Sequence, residues 1–324
     1  MKTYESFMAD KLDEYVVYRK NLGYARKGIN PSLMAFDRYL KDQKADWEKL
    51  QPAFFLNMRA NIRDNPNTVN KILSGVRGFF HYLVRRGICD HNPLKDIPPL
   101  PERYFVPFVF MPDETEQLLC AVCNRMRRSE RWLLFDMANY LAMVMLARCG
   151  MRINEPLRLY RNHFRSDEGT VYIEKTKFRK DRLIPVPKSV QIAIENYLAV
   201  RDSLCVDDQT PYLLAGTKNR PIGAQRIRRV FHRAAKDIGL GQTKKIMGNI
   251  TFGKPTPHSL RHAFAINTLN QIKKRGKSPQ QALPVLATYM GHRKYQYTGA
   301  YLKVKDAKDI PGLIAFTKAQ LDVI

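Results

Sequence analysis

The chain is expected to be mainly α-helical with one small antiparallel β-sheet in its C-terminal domain, and three observations carry that expectation. Apolar residues through much of the N-terminal third recur every three and four positions, the period of one helix face. A proline-rich run, Ile97-Pro98-Pro99-Leu100-Pro101 with Pro107 and Pro112 beyond it, interrupts this pattern with residues that neither helix nor sheet interiors tolerate. Around Thr170 the period changes to that of two short strands, and helical patterning then returns. A length of 324 residues suits two ordinary domains, and a hydrophobic fraction of 44% is enough for each to bury a core. The boundaries that follow are an N-terminal helical domain over 1–97, a linker over 98–111 and a C-terminal domain over 112–324, with a tail over 309–324.

In the N-terminal domain an amphipathic segment runs through Leu33, Phe36, Tyr39 and Leu40. The clearest helix follows Asn65-Pro66-Asn67. Its apolar face is Val69, Ile72, Leu73, Val76, Phe79, Phe80, Leu83 and Val84, with Asn67 read as the N-cap and Gly87 as the stop. The other side offers Lys71, Arg77, Arg85 and Arg86.

The C-terminal domain opens with a helix near Pro112-Asp113-Glu114. The apolar run Trp132 to Ala147 then ends at Gly150; it is shorter than a membrane span needs and carries Asp136 and Asn139, so it is read as a buried core helix. Val171-Tyr172-Ile173 and Leu183-Ile184-Pro185-Val186 read as strands flanking a basic turn, Lys175 to Arg182, and helical patterning resumes at Val190 and continues almost to the C-terminus. The five cysteines (Cys89, Cys120, Cys123, Cys149 and Cys205) are odd in number and irregularly spaced, and no signal peptide precedes them, which points to a reducing cytoplasm, not a disulfide framework. Cys120 and Cys123 lack a second pair of ligands, so they read as helix packing rather than a zinc site.

Charge narrows the class of partner. Lys plus Arg number 55 against 30 Asp plus Glu, a formal net charge of +25, with a pI near 9.9. Such a surplus suits a polyanion, nucleic acid first. Between Lys218 and Lys277 stand fifteen Lys or Arg, with Asp237 the only acid. Within that stretch Arg226, Arg228, Arg229 and Arg233 crowd one expected helix, where like charges repel unless a polyanion lies opposite.

Four short segments carry chemistry together. They are Cys149-Gly150-Met151-Arg152-Ile153-Asn154-Glu155, with Arg152 expected to start a helix and Glu155 one turn on; Lys177 in the basic turn; His258-Ser259-Leu260-Arg261-His262; and Gly291-His292, followed nine residues later by Tyr301. Two arginines, Arg152 and Arg261, are suited to the charge that develops on the non-bridging oxygens of a phosphodiester under attack, because their planar forks stay protonated. A phenol can attack phosphorus and leave a reactive aryl phosphate, and a lysine can protonate the departing oxygen. Lys175 and Lys180 share the turn with Lys177. Tyr289, Tyr295 and Tyr297 compete with Tyr301, whose spacing from His292 favours it.

These segments resemble the boxes of the tyrosine recombinase, or phage integrase, family. Gly150 to Glu155 matches its first arginine box, Lys175 to Pro185 its β-hairpin lysine segment, His258 to His262 its HxLRH box, and Met290-Gly291-His292 with Tyr301 its terminal box. Thr68 to Asn92-Pro93-Leu94 is similar to the family's last N-terminal helix and exit. The resemblance implies a two-domain clamp on DNA, a helical SAM-like core-binding domain plus a catalytic domain. It implies Arg152, Lys177, His258, Arg261 and His292 as catalytic residues around the nucleophile Tyr301, with Glu155 and His262 in support. It also implies double-stranded DNA attachment sites as substrate, a homotetramer on two such sites, possible accessory DNA-bending or directionality factors, no cofactor and no metal. Lys71, Arg77, Arg226, Arg228, Arg229 and Arg233 are candidate DNA contacts. Mobile-element integration and excision is the expected biology, in the cytoplasm of a prokaryote and on its nucleoid when DNA-bound.

The chain departs from the family pattern in two places. Extra residues, Lys273 to Gln280, read as a basic loop between the last two boxes, and Pro156 follows Glu155. The tail from Asp309 is amphipathic and packs either on its own domain or on a neighbouring subunit. Three rival readings are a type IB topoisomerase-like enzyme, separable by its indifference to paired sites; a non-catalytic DNA-binding protein; and a metal-dependent nuclease, which the absence of a carboxylate cluster beside the basic boxes disfavours.

Overall fold

The computed structural model describes residues 4–174, 181–204, 210–215 and 221–292. Lys177, Tyr295, Tyr297, Tyr301, Cys205 and the tail therefore lie outside the described residues. The chain divides into two compact units, Met1–Tyr104 and Phe105–Ile324.

The described residues of the first unit form four helices: α1 (Ala9–Asn21), α2 (Arg26–Asp42), α3 (Pro52–Asn61) and α4 (Pro66–Arg85). The N-cap of α4 is Asn65, not Asn67: its side chain accepts a hydrogen bond from Asn67 N, and Pro66 takes the first helical position, where a missing N–H costs nothing. The apolar stripe of α4 turns inward, with Phe79 and Phe80 against Phe36 of α2 and Phe55 of α3, Phe80 and Phe55 being edge-to-face at 5.4 Å. At Gly75 a Cβ would lie 2.7 Å from that of Ser32, so the missing side chain is what lets α4 approach α2.

The segment read as a linker is built in at both ends. Asn70 grips Leu100 through both its N–H and its carbonyl, each at 2.8 Å, and Arg59 donates to Pro98 O at 2.7 Å. Val109 and Phe110, at its far end, are buried in the core of the second unit.

The second unit is organised around α6 (Glu130–Arg148), which packs against α5 (Pro112–Asn124), α7 (Lys188–Leu204), α8 (Ala224–Asp237) and α9 (Pro257–Lys274); α10 (Pro279–Met290) packs on α9. Leu141 to Leu146 of α6 meet Val190 and Ile194 of α7, Phe231 of α8 and Leu260 and Ile266 of α9 in one buried cluster. Truncating any of these large apolar side chains costs about 2–5 kcal/mol. Among the described residues no helix is long and apolar enough to cross a membrane.

The described residues form two three-stranded sheets, where one sheet was expected. β2 (Phe164–Arg165), β3 (Thr170–Ile173) and β4 (Arg182–Pro185) are antiparallel, with Thr170 opposite Pro185 and Ile173 opposite Arg182. The other sheet runs in the order β1 (Tyr104–Val106), β6 (Ile250–Phe252), β5 (Lys245–Met247). Its β5–β6 hairpin interrupts the stretch read as continuous helix. Gly248, at φ 55°, and Asn249 form its two-residue turn, and Met247 pairs with Ile250.

Three local readings are corrected. Cys120 and Cys123 are exposed on α5 and not packed. Arg152 does not begin a helix: Gly150 is left-handed at φ 57°, and the chain passes through a turn into a single 3-10 turn, Pro156–Arg158. The basic loop read over 273–280 is confined to 275–278. Lys273 and Lys274 complete α9, Gly276 turns the chain at φ 73°, and α10 begins at Pro279.

Candidate active site

Each candidate side chain among the described residues is delivered by the end of an element. Gly150 ends the α6 region in a conformation costly to other residues, and there is no room for a side chain: a Cβ would sit 2.3 Å from Cδ1 of Phe264. That turn places Arg152 and Glu155. At the start of α9, Thr256 N donates to Ser259 Oγ at 3.1 Å and Pro257 fills the first helical position, which fixes His258, Arg261 and His262 over the first two turns. At the end of α10, Gly291 is left-handed at φ 66°, and His292 N donates back to Ala287 O at 2.9 Å, a Schellman closure that sets where His292 emerges.

Three guanidiniums converge on that last helix end. Arg182 Nε donates to Tyr289 O at 2.9 Å, Arg261 Nη2 to Met290 O at 2.5 Å and Arg152 Nη2 to Gly291 O at 2.6 Å. Three successive carbonyls that would otherwise lack helical partners are each held by a cation, at the end of the helix where the macrodipole favours positive charge. Arg261 also donates to Gly150 O at 2.7 Å, so it ties the close of α6 to the close of α10.

Glu155 is the counter-charge. Its carboxylate accepts from Arg152 N and Nη1, both at 2.8 Å, and from Arg182 Nη1 at 3.1 Å and Nη2 at 2.8 Å. Burial alone would push its pKa up, but the hydrogen bonds and charge of Arg182, with the bonds from Arg152, outweigh this and hold it below the usual carboxylate range.

The three histidines are held neutral. Burial, then the charges of Arg261 and Arg152, lower His258 to about 4; burial and the same two arginines lower His292 to about 4; burial, then His258 and Arg261, lower His262 to about 3. The rings of His258 and His262, one turn apart, meet edge-to-face at 4.6 Å. A cleft of about 380 Å³ opens here, lined by Arg152, Glu155, Arg158, His163 and His258 among others. A larger cavity of about 790 Å³, beside Phe110, Ile266 and Lys274, holds none of the candidate catalytic residues.

The structure thus brings Arg152, Glu155, His258, Arg261, His262 and His292 into one neighbourhood. Arg152 is partly open, its side chain 23% exposed. Arg261 differs from the expectation of a fork facing the phosphate: at 1% exposure it is enclosed, with its terminal nitrogens on the Gly150 and Met290 carbonyls. Lys177 and Tyr301 lie outside the described residues. Among the described residues no group of His, Cys, Asp and Glu is arranged to hold a metal ion.

The candidate DNA contacts divide. Lys71 on α4 and Arg228, Arg229 and Arg233 on α8 are exposed. Arg77 instead stitches the first unit together, donating to Leu94 O at 3.0 Å and Ile97 O at 2.8 Å. Arg226 lies over the Phe135 ring at 3.8 Å and pairs with Asp136 at 3.4 Å, so it belongs to the α6–α8 contact. Arg182 was not singled out by its motif. Its place at the edge of the basic hairpin segment was the available signal, but its partners are visible only in three dimensions.

A family model described as the phage integrase family matches residues 109–308. An integrase/recombinase, y4rE, of Sinorhizobium fredii is 28% identical over 307 residues, 93% of this chain and 93% of that protein. The tyrosine recombinase XerC of Pseudomonas fluorescens is 26% identical over 306 residues, 91% of each. In structure, a lambda integrase tetramer bound to a Holliday junction is similar at a TM-score of 0.61 and 17% identity, over 88% of this chain and 77% of that one.

Proposed function

The chain belongs to the phage integrase family and is a tyrosine-type site-specific DNA recombinase, and from that premise we propose that it cuts and rejoins duplex DNA through a 3′-phosphotyrosyl intermediate on Tyr301, carrying a mobile element into or out of its host DNA. The observation that carries this reading is the convergence of Arg152, Glu155, His258, Arg261 and His292 from three distant segments on one neighbourhood, with Arg152, Glu155 and His258 lining its cleft.

The Tyr301 oxygen attacks the scissile phosphorus, the P–O5′ bond breaks, and the aryl phosphodiester forms. Lys177 protonates the leaving 5′-oxygen. A 5′-hydroxyl from the partner strand then reverses the step, so one phosphodiester replaces another and no cofactor is consumed. Arg152, at the open side of the cleft, meets the non-bridging oxygens. Arg261 contributes its charge from behind and frames the His292 loop. Fixed charges of this kind need no reorganisation as the transition state forms. His258 and His292, neutral near pH 7, can donate to the phosphate while one of them accepts the tyrosine proton. Lys71, Arg228, Arg229 and Arg233 supply sequence-independent phosphate contacts. The lambda integrase tetramer on a Holliday junction supports a tetramer of this chain acting on two sites.

The test is a nicked duplex spanning the ends of the chain's own element, stopped with detergent and run on a denaturing gel. A protein–DNA band present in the wild type and lost in Tyr301→Phe is the expected result. A band that survives the substitution moves the nucleophile to Tyr295 or Tyr297. Turnover on a single site without a partner sinks the recombination reading and favours relaxation by a topoisomerase-like route.

A further inference from the structure

We propose that Arg182 is a positioning residue for the cleavage step, which rests on the reading of this chain as a recombinase acting through Tyr301. Arg182 begins β4 and its side chain is 9% exposed. Its guanidinium uses all three of its nitrogens on two other parts of the unit. Nη1 and Nη2 hold the Glu155 carboxylate at 3.1 and 2.8 Å, and Nε holds Tyr289 O at 2.9 Å. One side chain therefore bridges the turn that carries Arg152 to the helix end that carries His292.

The bridge sets both groups at once. Glu155, gripped by Arg182 on one side, grips Arg152 through its backbone N and Nη1 on the other. Tyr289 O, fixed by Arg182, lies three residues before His292. Gly291 makes room for this arrangement: at φ 66° a Cβ there would stand 2.9 Å from Arg182 Nη1. A lysine keeps the charge but cannot supply a bidentate fork together with a third, divergent donor. Loss of the fork lets Arg152 and His292 drift relative to one another, and displacement on the order of 1 Å costs about 100-fold in rate.

The experiment compares wild type, Arg182→Lys and Arg182→Met. Three quantities are read: the single-turnover rate of covalent complex formation on the nicked duplex, the dissociation constant for an uncleaved duplex, and the ring C–H resonances of the histidines. For Arg182→Lys the expectation is a rate lower by about 100-fold, a dissociation constant within twofold of wild type, and a displaced His292 signal with His81 and His91 unmoved. The histidine signal is the reading that a merely structural loss of stability would not move selectively. A wild-type rate in both variants, an unmoved His292 signal, or equal losses in rate and affinity would each overturn the proposal. So would loss of the fold in both variants, which would assign Arg182 to the core. If the wild type itself forms no Tyr301-dependent adduct, the recombinase reading fails first and the proposal falls with it, a different result from an active wild type beside an equally active Arg182→Lys.

Discussion

Replacing Glu155 by Gln keeps shape and removes charge at the point where two guanidiniums meet. The carboxylate is 8% exposed and accepts four hydrogen bonds from Arg152 and Arg182. The amide retains one acceptor oxygen and turns an NH₂ group toward donors on the other side, so about half of these bonds become donor against donor. Charge-assisted hydrogen bonds contribute about 1.5–3 kcal/mol each, and removing one partner of a buried ion pair costs about 3–5 kcal/mol. A loss of about 4 kcal/mol is the expected size at pH 7, which lowers the melting temperature of a unit this large by roughly 10 °C. The pH dependence adds a second check. The folded pKa of Glu155 lies below its ordinary 4.5, so its stabilisation is fully present above 4.5 and is lost as pH falls through the folded value. The gap between wild type and Glu155→Gln should therefore be constant from neutrality down to about pH 5.5 and shrink below pH 4.5, as followed by circular dichroism melts across that range. A drop of less than about 3 °C at pH 7, or a gap that widens on acidification, would refute the reasoning.

Two further outcomes follow from the same geometry. Gly150→Ala combines a left-handed backbone with a Cβ only 2.3 Å from the Phe264 ring, and should cost about 2–4 kcal/mol in urea denaturation, whereas alanine at Gly248, with open space around it, should pay only the backbone part of about 1–2 kcal/mol. Replacing Arg228 and Arg229 by Ala, both exposed on α8, should reduce the slope of log affinity for duplex DNA against log salt by about 0.9 for each phosphate left unneutralised, measured by fluorescence anisotropy; an unchanged slope would remove that helix from the DNA-facing surface.

How far the sequence could be read depended on how local each cause is. The apolar stripe of α4, the core helix α6 and the β3–β4 pair are set by period, and all three were legible. The motif segments were legible because residue type and order survive in one dimension. The β5–β6 hairpin carried a local signal as well, Gly248-Asn249 between short apolar stretches, but the surrounding lysines drew attention to charge instead of to the turn. The cap at Asn65 was displaced by one candidate because Asn65 and Asn67 both flank Pro66, and only the rule that proline prefers the first helical position separates them. The rest was out of reach in principle. Nothing near Arg77 says that its fork closes on Leu94 and Ile97, and nothing near Arg182 points to a carbonyl 107 residues away. Arg261 and Arg152 look alike as letters; their different exposures are set by the elements that surround them.

The end of α10 is held by side chains from three separate parts of the sequence, through bonds that span 139, 107 and 29 residues. Such contacts form late, because long chain segments must be closed before they are rewarded. A nascent or partly unfolded copy of the second unit can carry every motif and a large positive charge, and so attract DNA, without possessing an assembled cutting centre. Assembly of the candidate site is thereby tied to closure of three separate stretches of the chain.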